Sequence, residues 1–181
     1  KAAHQGYPDA QSNLGAMYED GTGIPQDYTM AAELYRRAAI QGLPAAQASL
    51  GSLYLRGMGV PQDDAEGVKW TRKAAEHGHA GAQSNLGYIY AKGRGVLKDD
   101  AEAMKWYRMS AEQGYAEAQS SLGIRYASGE SIPQDYSEAV KWLRRAAEQG
   151  DATAQFRLSV MYSGAGGFPE GKTHAPPADK R

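Results

Sequence analysis

The stretch AQSNLGAMY at residues 10–18 returns four more times along the chain, each time after 36 residues. The later copies read AQASLGSLY from residue 46, AQSNLGYIY from 82, AQSSLGIRY from 118 and AQFRLSVMY from 154. A fixed period of this length indicates a repeat architecture, in which one small structural unit is stacked and neighbouring units bury a continuous core. The sequence therefore predicts a repeat array.

The quoted stretch itself predicts an amphipathic α-helix, which we call helix A. Ala10, Leu14 and Met17 lie at positions i, i+4 and i+7, so they share one face of a helix with 3.6 residues per turn. Gly15 follows Leu14 and leaves room for a neighbouring helix to approach closely.

A second helical pattern follows in every repeat, and we call it helix B. Ala65, Val68 and Ala75 mark its apolar positions in the second repeat. Three tryptophans occupy the register of Leu34 in later repeats, namely Trp70, Trp106 and Trp142. A large aromatic side chain in a fixed register predicts a buried contact between helices, not a ligand-stacking site. The predicted fold class is all-α.

The loop between the two helices reads GTGIPQD at residues 21–27. Gly21 can end helix A in the left-handed conformation, Pro25 prevents the helix from resuming, and Asp27 can cap helix B. A glutamate three residues after the aspartate predicts a capping box in three repeats: Asp63 with Glu66, Asp99 with Glu102 and Asp135 with Glu138. A dinucleotide loop needs a third glycine and a preceding strand, so phosphate binding is not indicated.

In these helix and loop motifs the chain resembles the Sel1-like repeat family, which is related to tetratricopeptide repeats. The segments KWTRKAAEHG at 69–78 and KWLRRAAEQG at 141–150 match the family's repeat ending, and the resemblance covers about residues 1–169. It implies a right-handed superhelical α-solenoid of a bacterial protein, with helix A on the concave face. Local departures are Leu97 for the loop proline, Glu130 and Ser131 in the fourth loop, and Ser159 for a glycine.

The period divides the chain into repeats. Residues 1–6 correspond to the end of a preceding helix B, and residues 170–181 form an irregular tail with Pro176 and Pro177. No polar cap is visible at either end, which indicates a fragment of a longer array or ends covered by partners. Four full repeats and a half repeat are predicted between these segments, at 7–42, 43–78, 79–114, 115–150 and 151–169.

Composition narrows the function classes. The 20 lysines and arginines nearly balance 21 aspartates and glutamates, which does not favour nucleic acid as a partner. The chain has no cysteine, so disulfides and thiolate metal sites are excluded. No apolar run has the length of a membrane-spanning helix. We expect no cofactor and no membrane insertion. Proteins of the family that the chain resembles are often exported, but the sequence itself does not indicate a location.

Several residue groups could suggest chemistry but have simpler interpretations. His77 and His79 flank Gly78 at a helix end, and a zinc site would need further ligands. Adjacent carboxylates such as Asp63 and Asp64 are explained by capping. Basic pairs lie late in helix B, where the helix dipole favours cations: Arg36–Arg37, Arg72–Lys73 and Arg144–Arg145. We expect no catalytic residue.

The more informative positions vary between repeats while the repeat frame stays fixed. On helix A, tetratricopeptide-like geometry places these positions on the concave face. Arg125 stands where other repeats have an apolar residue, so either its stem packs while the head reaches water, or it binds a partner. The predicted partner-binding groove comprises Glu19, Asp20, Ser52, Arg56, Tyr88, Lys92, Ile124, Arg125, Phe156 and Val160.

Three functions follow from this interpretation. The first is a non-enzymatic scaffold or adaptor that binds a peptide or protein segment in the concave groove. The second, implied by relatives described as acting on β-lactams, is a β-lactam or peptidoglycan hydrolase; the S-x-x-K, S-D-N and K-T-G motifs of serine β-lactamases are missing. The third is an architectural module that self-associates end to end.

Overall fold

The computed structural model describes residues 6–163, and within them the chain forms nine α-helices and no β-strand. The all-α repeat fold is thereby confirmed. Odd-numbered helices are helices A and even-numbered helices are helices B. The helices are α1 Pro8–Asp20, α2 Tyr28–Ile40, α3 Pro44–Arg56, α4 Asp64–Glu76, α5 Ala80–Lys92, α6 Asp100–Glu112, α7 Ala116–Ser128, α8 Tyr136–Glu148 and α9 Ala152–Tyr162.

The chain divides into two compact units within α6. Unit 1 is Lys1–Trp106 and unit 2 is Tyr107–Arg181. Most of the predicted end of a preceding helix B (1–6), the loop of the predicted half repeat and the tail 170–181 lie outside the described residues. In the described part, no helix is both long and apolar enough to cross a membrane.

The loops between helices A and B act as helix terminators, as predicted. Gly21 has φ 71° and donates its backbone N–H to the carbonyl oxygen of Met17, closing the last turn of α1. Asp27 starts α2 by accepting hydrogen bonds from the backbone of Thr29 and Met30. The same left-handed conformation recurs at the ends of later helices A, at Gly57, Gly93 and Gly129.

The predicted capping boxes form only in part. Asp63 accepts the backbone N–H of Glu66 as expected, but its own N–H donates to the carbonyl oxygen of Tyr54 in helix A. Asp27, Asp99 and Asp135 make the same bond to Tyr18, Tyr90 and Tyr126. The capping-box prediction was therefore wrong in its second half, because helix A supplies the acceptor that the glutamate would have supplied.

Those glutamates bind the side chains of helix B instead. The Trp106 and Trp142 indole N–H groups donate to Glu102 Oε2 at 3.0 Å and Glu138 Oε2 at 2.9 Å. Both tryptophans are buried, which confirms that they belong to the core, whereas Trp70 is half-buried.

The loop departures have small effects on the backbone. In the third loop Gly93 and Gly95 keep φ values of 67° and 68°, although Leu97 replaces proline and is 90% exposed. In the fourth loop Ser131 takes the place of the second glycine and adopts φ 66°, the only positive φ of a non-glycine residue in the described chain.

Helices A and B of one repeat pack at the glycine after the repeated leucine. A Cβ atom added to Gly51 would lie 2.5 Å from Thr71 Oγ1, and one added to Gly123 would lie 2.5 Å from Leu143 Cγ. The close approach predicted from Gly15 is confirmed, since its added Cβ would lie 3.0 Å from the Tyr35 ring. Glycine at this register therefore sets the distance between the helices.

Buried glutamines join each helix B to the next helix A. Gln47 Nε2 donates to the carbonyl oxygen of Ala39 at 3.1 Å, and Gln83 Nε2 donates to Ala75 at 3.0 Å. In unit 2, Gln119 bonds to Ala111 in the same way. These carbonyl groups lie at helix C-termini and also accept the backbone N–H of Gly42, Gly78 and Gly114, so each glutamine adds a second hydrogen bond to the same oxygen.

Arginines of helix B make a second connection to the next helix A. Arg72 donates to the Tyr90 hydroxyl at 2.5 Å and Arg144 to the Tyr162 hydroxyl at 3.0 Å. Arg36 with Tyr54 and Arg108 with Tyr126 complete the series. The basic pairs of helix B thus have a packing role that the helix-dipole argument did not include.

Candidate protein-interaction site

The first candidate surface lies on helices α3 and α5 of unit 1. Ser52 and Arg56 come from α3, and Tyr88 and Lys92 come from α5. The two basic residues share one register, 36 positions apart. Tyr88 is 51% exposed, and both cations are exposed. We call Arg56, Tyr88 and Lys92 the basic helix-A face.

The cations of this face differ from other cations in the chain. Throughout residues 6–163, lysines and arginines contact a carboxylate, a hydroxyl group or an aromatic ring, as Lys69 does with Glu66 and Lys73 with Trp70. The exceptions are Arg56, Lys92 and Arg157, which have no such contact with the described residues. All three lie on helices A. Their charges are available to an external partner.

The acidic residues of the predicted groove lie at the end of α1. Asp20 is exposed. Glu19 accepts a hydrogen bond from the Tyr35 hydroxyl at 2.7 Å, so its carboxylate already has a partner in the fold. Burial, together with the Glu19 carboxylate, raises the pKa of Tyr35 well above its ordinary value. Glu19 therefore holds two helices together.

The second candidate surface is a cleft in unit 2. It has a volume of about 220 Å³ and lies between α7, α8 and α9. Ile124 and Val160 were predicted groove residues, and the structure brings both to its wall. Leu143 and Met161 are buried within it, whereas Arg157 and Ser128 are exposed. The full lining is Ile124, Ala127, Ser128, Leu143, Arg157, Val160 and Met161.

Sequence reasoning did not select Arg157, Leu143 or Met161. The available signal was the register of Leu143, which is occupied by Tyr35 in the first repeat and by Tyr107 in the third. A shorter residue at a position that elsewhere holds tyrosine indicates unfilled space.

Arg125 and Phe156, two further predicted groove residues, lie outside the lining of the cleft. The Arg125 guanidinium lies 5.4 Å from the centre of the Tyr107 ring. Burial raises the pKa of Tyr107, and the positive charge of Arg125 opposes that rise. Arg125 is half-buried and covers a core tyrosine, as in the stem-packing alternative. Phe156 is 64% exposed on α9 and does not line the cleft.

The histidine pair has local roles at the turn between α4 and α5. His79 Nδ1 accepts the backbone N–H of Ala82 at 3.1 Å, and His77 Nδ1 lies 2.7 Å from the carbonyl oxygen of Lys73. Across residues 6–163 no three histidines, aspartates or glutamates are grouped so that they could hold a metal ion.

The chain is built from pairs of α-helices that repeat in a fixed register, and the candidate binding residues lie on helix A of each pair. This arrangement defines an α-helical repeat protein of the solenoid class. The chain belongs to the Sel1 repeat family, because the Sel1 repeat model matches residues 8–43, 44–79, 80–115, 116–151 and 152–169. These repeats begin one residue later than the predicted bounds. The comparison with curated proteins finds no match.

Solved structures of similar proteins support this assignment. The chain is 41% identical to c5321, a protective antigen of uropathogenic Escherichia coli with an SLR fold, with a TM-score of 0.85 over 93% of this chain and 36% of that one. A Sel1 repeat protein from Oxalobacter formigenes is 39% identical, with a TM-score of 0.83 over 91% of this chain and 66% of that one. The immunity protein Pa5087 from Pseudomonas aeruginosa is 27% identical, with a TM-score of 0.63 over 89% and 60%.

The chain thus spans 36% of the first of these proteins and 66% of the second. Sel1 repeat proteins are generally protein-interaction scaffolds.

Proposed function

We propose that the chain is a non-enzymatic adaptor that binds a peptide or protein segment on the exposed faces of its helices A. The observation that carries this proposal is the basic helix-A face, where Arg56 and Lys92 are exposed without partners in the described chain and Tyr88 is half-exposed. Exposed aromatic and arginine side chains are enriched among the residues that dominate binding energy at protein interfaces.

The distribution of charge favours binding at one local surface over a general electrostatic attraction by the whole chain. The whole chain carries a formal net charge of −1, so a polyanion would meet no overall positive field. The cations of helices B are occupied by tyrosines, tryptophans and carboxylates, as Arg72 is by Tyr90. A partner segment with both a negative and an apolar group fits the basic helix-A face.

The test is affinity capture from lysate and envelope fractions with the immobilised chain, read by mass spectrometry. We expect Tyr88→Ala, and separately the double variant Arg56→Ala/Lys92→Ala, to lose the proteins that the wild-type chain retains. A matched control removes two other exposed cations, whose contacts lie within helices B, Lys69→Ala/Lys105→Ala. Leu97→Ala controls for loss of an exposed apolar residue.

Two results would contradict the proposal. Identical capture by the wild type and the Tyr88 and Arg56/Lys92 variants would show that these helices A are not the binding surface. Turnover of a chromogenic β-lactam by the purified chain would favour the hydrolase alternative. The architectural alternative predicts assemblies that grow with protein concentration in light scattering, and the adaptor does not require them.

A further inference from the structure

The cleft in unit 2 occupies a position that a tyrosine ring fills elsewhere in the chain. Leu143 on α8 has the register of Tyr35 on α2 and Tyr107 on α6. The buried Tyr35 ring packs against Gly15, and its hydroxyl reaches Glu19 of its own helix A. The same hydroxyl interacts with Ser49 of the next helix A. A phenol group thus bridges two successive helices A in the first repeat.

The residues that surround the phenol in the first repeat have different counterparts around the cleft. Ala127 replaces Glu19, and Arg157 replaces Ser49. Leu143 packs against Gly123 as Tyr35 packs against Gly15, but its side chain ends before the space that the phenol would fill. The fourth repeat therefore lacks both the ring and the carboxylate, and the helix A that follows it has gained a cation.

The second repeat explains why a short residue at this register does not always leave a cleft. Thr71 is also short, but Leu55 stands there at the register of Ala127, and it is only 8% exposed. Its side chain packs closely on the helix B of its own repeat, since a Cβ added to Gly67 would lie 2.6 Å from Leu55 Cγ. The cleft arises because the fourth repeat has neither a tyrosine at position 143 nor a leucine at position 127.

We propose that this cleft is a socket for an aromatic side chain of a partner peptide, in which an acidic residue next to the aromatic one binds Arg157. This inference rests on the proposed adaptor function and names the chemistry of one contact. The protein supplies a phenol from its own sequence at the equivalent site of the first repeat, so the partner's ring completes a packing arrangement that the fold already uses.

Size and lining agree with this ligand. An apolar cavity of about 150 Å³ holds benzene, so the cleft of about 220 Å³ has room for a six-membered ring and its first methylene group. Ile124, Val160 and Met161 give an apolar wall, and methionine sulfur makes favourable contacts with aromatic rings. Arg157 has no partner in the described chain, so a carboxylate would give it one.

The direct test is a titration of the whole chain, labelled with ¹³C in its methionine methyl groups, with the peptide acetyl-Gly-Phe-Glu-Gly-amide. Met161 lines the cleft, and Met17 has the same register on α1 and serves as the internal control. We expect the Met161 methyl resonance to shift with a Kd on the order of 1 mM, because so small a peptide makes few contacts. The Met17 resonance should not move.

Matched peptides and variants separate the two parts of the proposal. Replacing the peptide's Phe with Ala should abolish the shift. Replacing its Glu with Gln should weaken binding about threefold, the effect of one solvent-exposed ion pair. Arg157→Gln should weaken binding of the Glu peptide by the same factor and leave binding of the Gln peptide unchanged.

A plugged cleft gives the decisive control. Leu143→Tyr introduces the residue found at positions 35 and 107, and it should abolish the Met161 shift while the helical circular dichroism stays unchanged. Ala127→Leu imitates Leu55 and should do the same, so the test survives if one variant fails to fold. Full binding by a folded plugged variant would overturn the socket, as would a Met161 resonance that never moves up to about 10 mM peptide.

These outcomes are independent of the lysate experiment. The titration uses a defined peptide and one methyl group in unit 2, whereas the capture experiment changes residues of unit 1. A chain that captures a partner through Tyr88, but whose Met161 never responds, would keep the adaptor function and lose the socket.

Discussion

The phenolic hydroxyl of Tyr35 donates a hydrogen bond of 2.7 Å to Glu19 Oε2, which joins α2 to α1. The Tyr35 side chain is only 3% exposed, and its ring lies against Gly15. Burial and the nearby carboxylate both favour the neutral phenol, so the pKa of Tyr35 is raised in the folded chain. The bond therefore makes stability depend on pH in the alkaline range.

The sign of this dependence follows from proton binding. In the unfolded chain tyrosine loses its proton near pH 10, whereas the folded chain keeps the Tyr35 proton to higher pH. We expect the ionisation of Tyr35 to leave the free energy of unfolding unchanged below about pH 10 and to lower it as the pH rises above that value. Urea unfolding between pH 7 and pH 11 measures this.

The variant Tyr35→Phe should be less stable at pH 7 by about 1–2 kcal/mol, because Glu19 loses its donor. Its alkaline loss of stability should also be shallower than that of the wild type. Tyr88→Phe is the control, since the Tyr88 side chain is half-exposed and should affect neither quantity. Parallel pH profiles for the wild type and Tyr35→Phe would refute the assignment.

The Arg72–Tyr90 contact should contribute more to stability than an ordinary surface ion pair. Arg72 donates to the Tyr90 hydroxyl at 2.5 Å, and its guanidinium lies 5.5 Å from the ring centre. Arg72→Ala should cost about 1 kcal/mol. Arg37→Ala removes an exposed pair with Glu33 and should cost less than about 0.5 kcal/mol. A double-mutant cycle with Tyr90→Phe isolates the coupling, and equal costs for the two arginines would contradict the prediction.

The second glycine of the interhelical loop should tolerate alanine in the first repeat but not in the second. Gly23 and Gly59 have φ values of 76° and 68°, so either alanine carries a strain of about 1 kcal/mol. A Cβ at Gly59 would lie 2.1 Å from the carbonyl oxygen of Tyr28, whereas the nearest atom to one at Gly23 is Met17 Cε at 3.8 Å.

Gly59→Ala should therefore be less stable than Gly23→Ala by about 2 kcal/mol or more, because the start of α2 must move. Thermal unfolding of the two variants beside the wild type is the measurement. Similar melting temperatures would mean that the loop relaxes at no cost.

Ser131→Gly should stabilise the chain. Ser131 adopts φ 66°, which is unfavourable for a residue with a Cβ, and glycine occupies this register in the three preceding loops. We expect the free energy of unfolding to rise by about 0.5–1 kcal/mol, after allowance for the greater flexibility that glycine gives the unfolded chain. Ser137→Gly, in the first turn of α8, should change stability in the opposite direction. Chemical denaturation of both variants provides the comparison, and a destabilised Ser131→Gly would show that the serine side chain matters.

The helices and their ends could be predicted from sequence because the responsible interactions are local. Gly21 ends α1 and Asp27 starts α2 through bonds that span a few residues, and the 36-residue period carries both signals to each of the four full repeats. The capping box could not be predicted correctly, because two acceptors compete for the Asp63 N–H. One is the nearby glutamate side chain, and the other is the carbonyl oxygen of Tyr54 on another helix, which accepts the bond in the structure. Which acceptor binds the N–H depends on how the two helices pack.

The candidate site, too, could be predicted from sequence only in part. Sequence alone determined that the chain is a helical repeat and that residues such as Tyr88 vary where the frame does not, because periodicity separates packing positions from the rest. Only the tertiary structure decided which cations have no partner among the described residues and where the packing of unit 2 leaves a cleft. Leu143, Ala127 and Arg157 come from three helices, and the volume between them depends on all three side chains and on the distance that Gly123 permits.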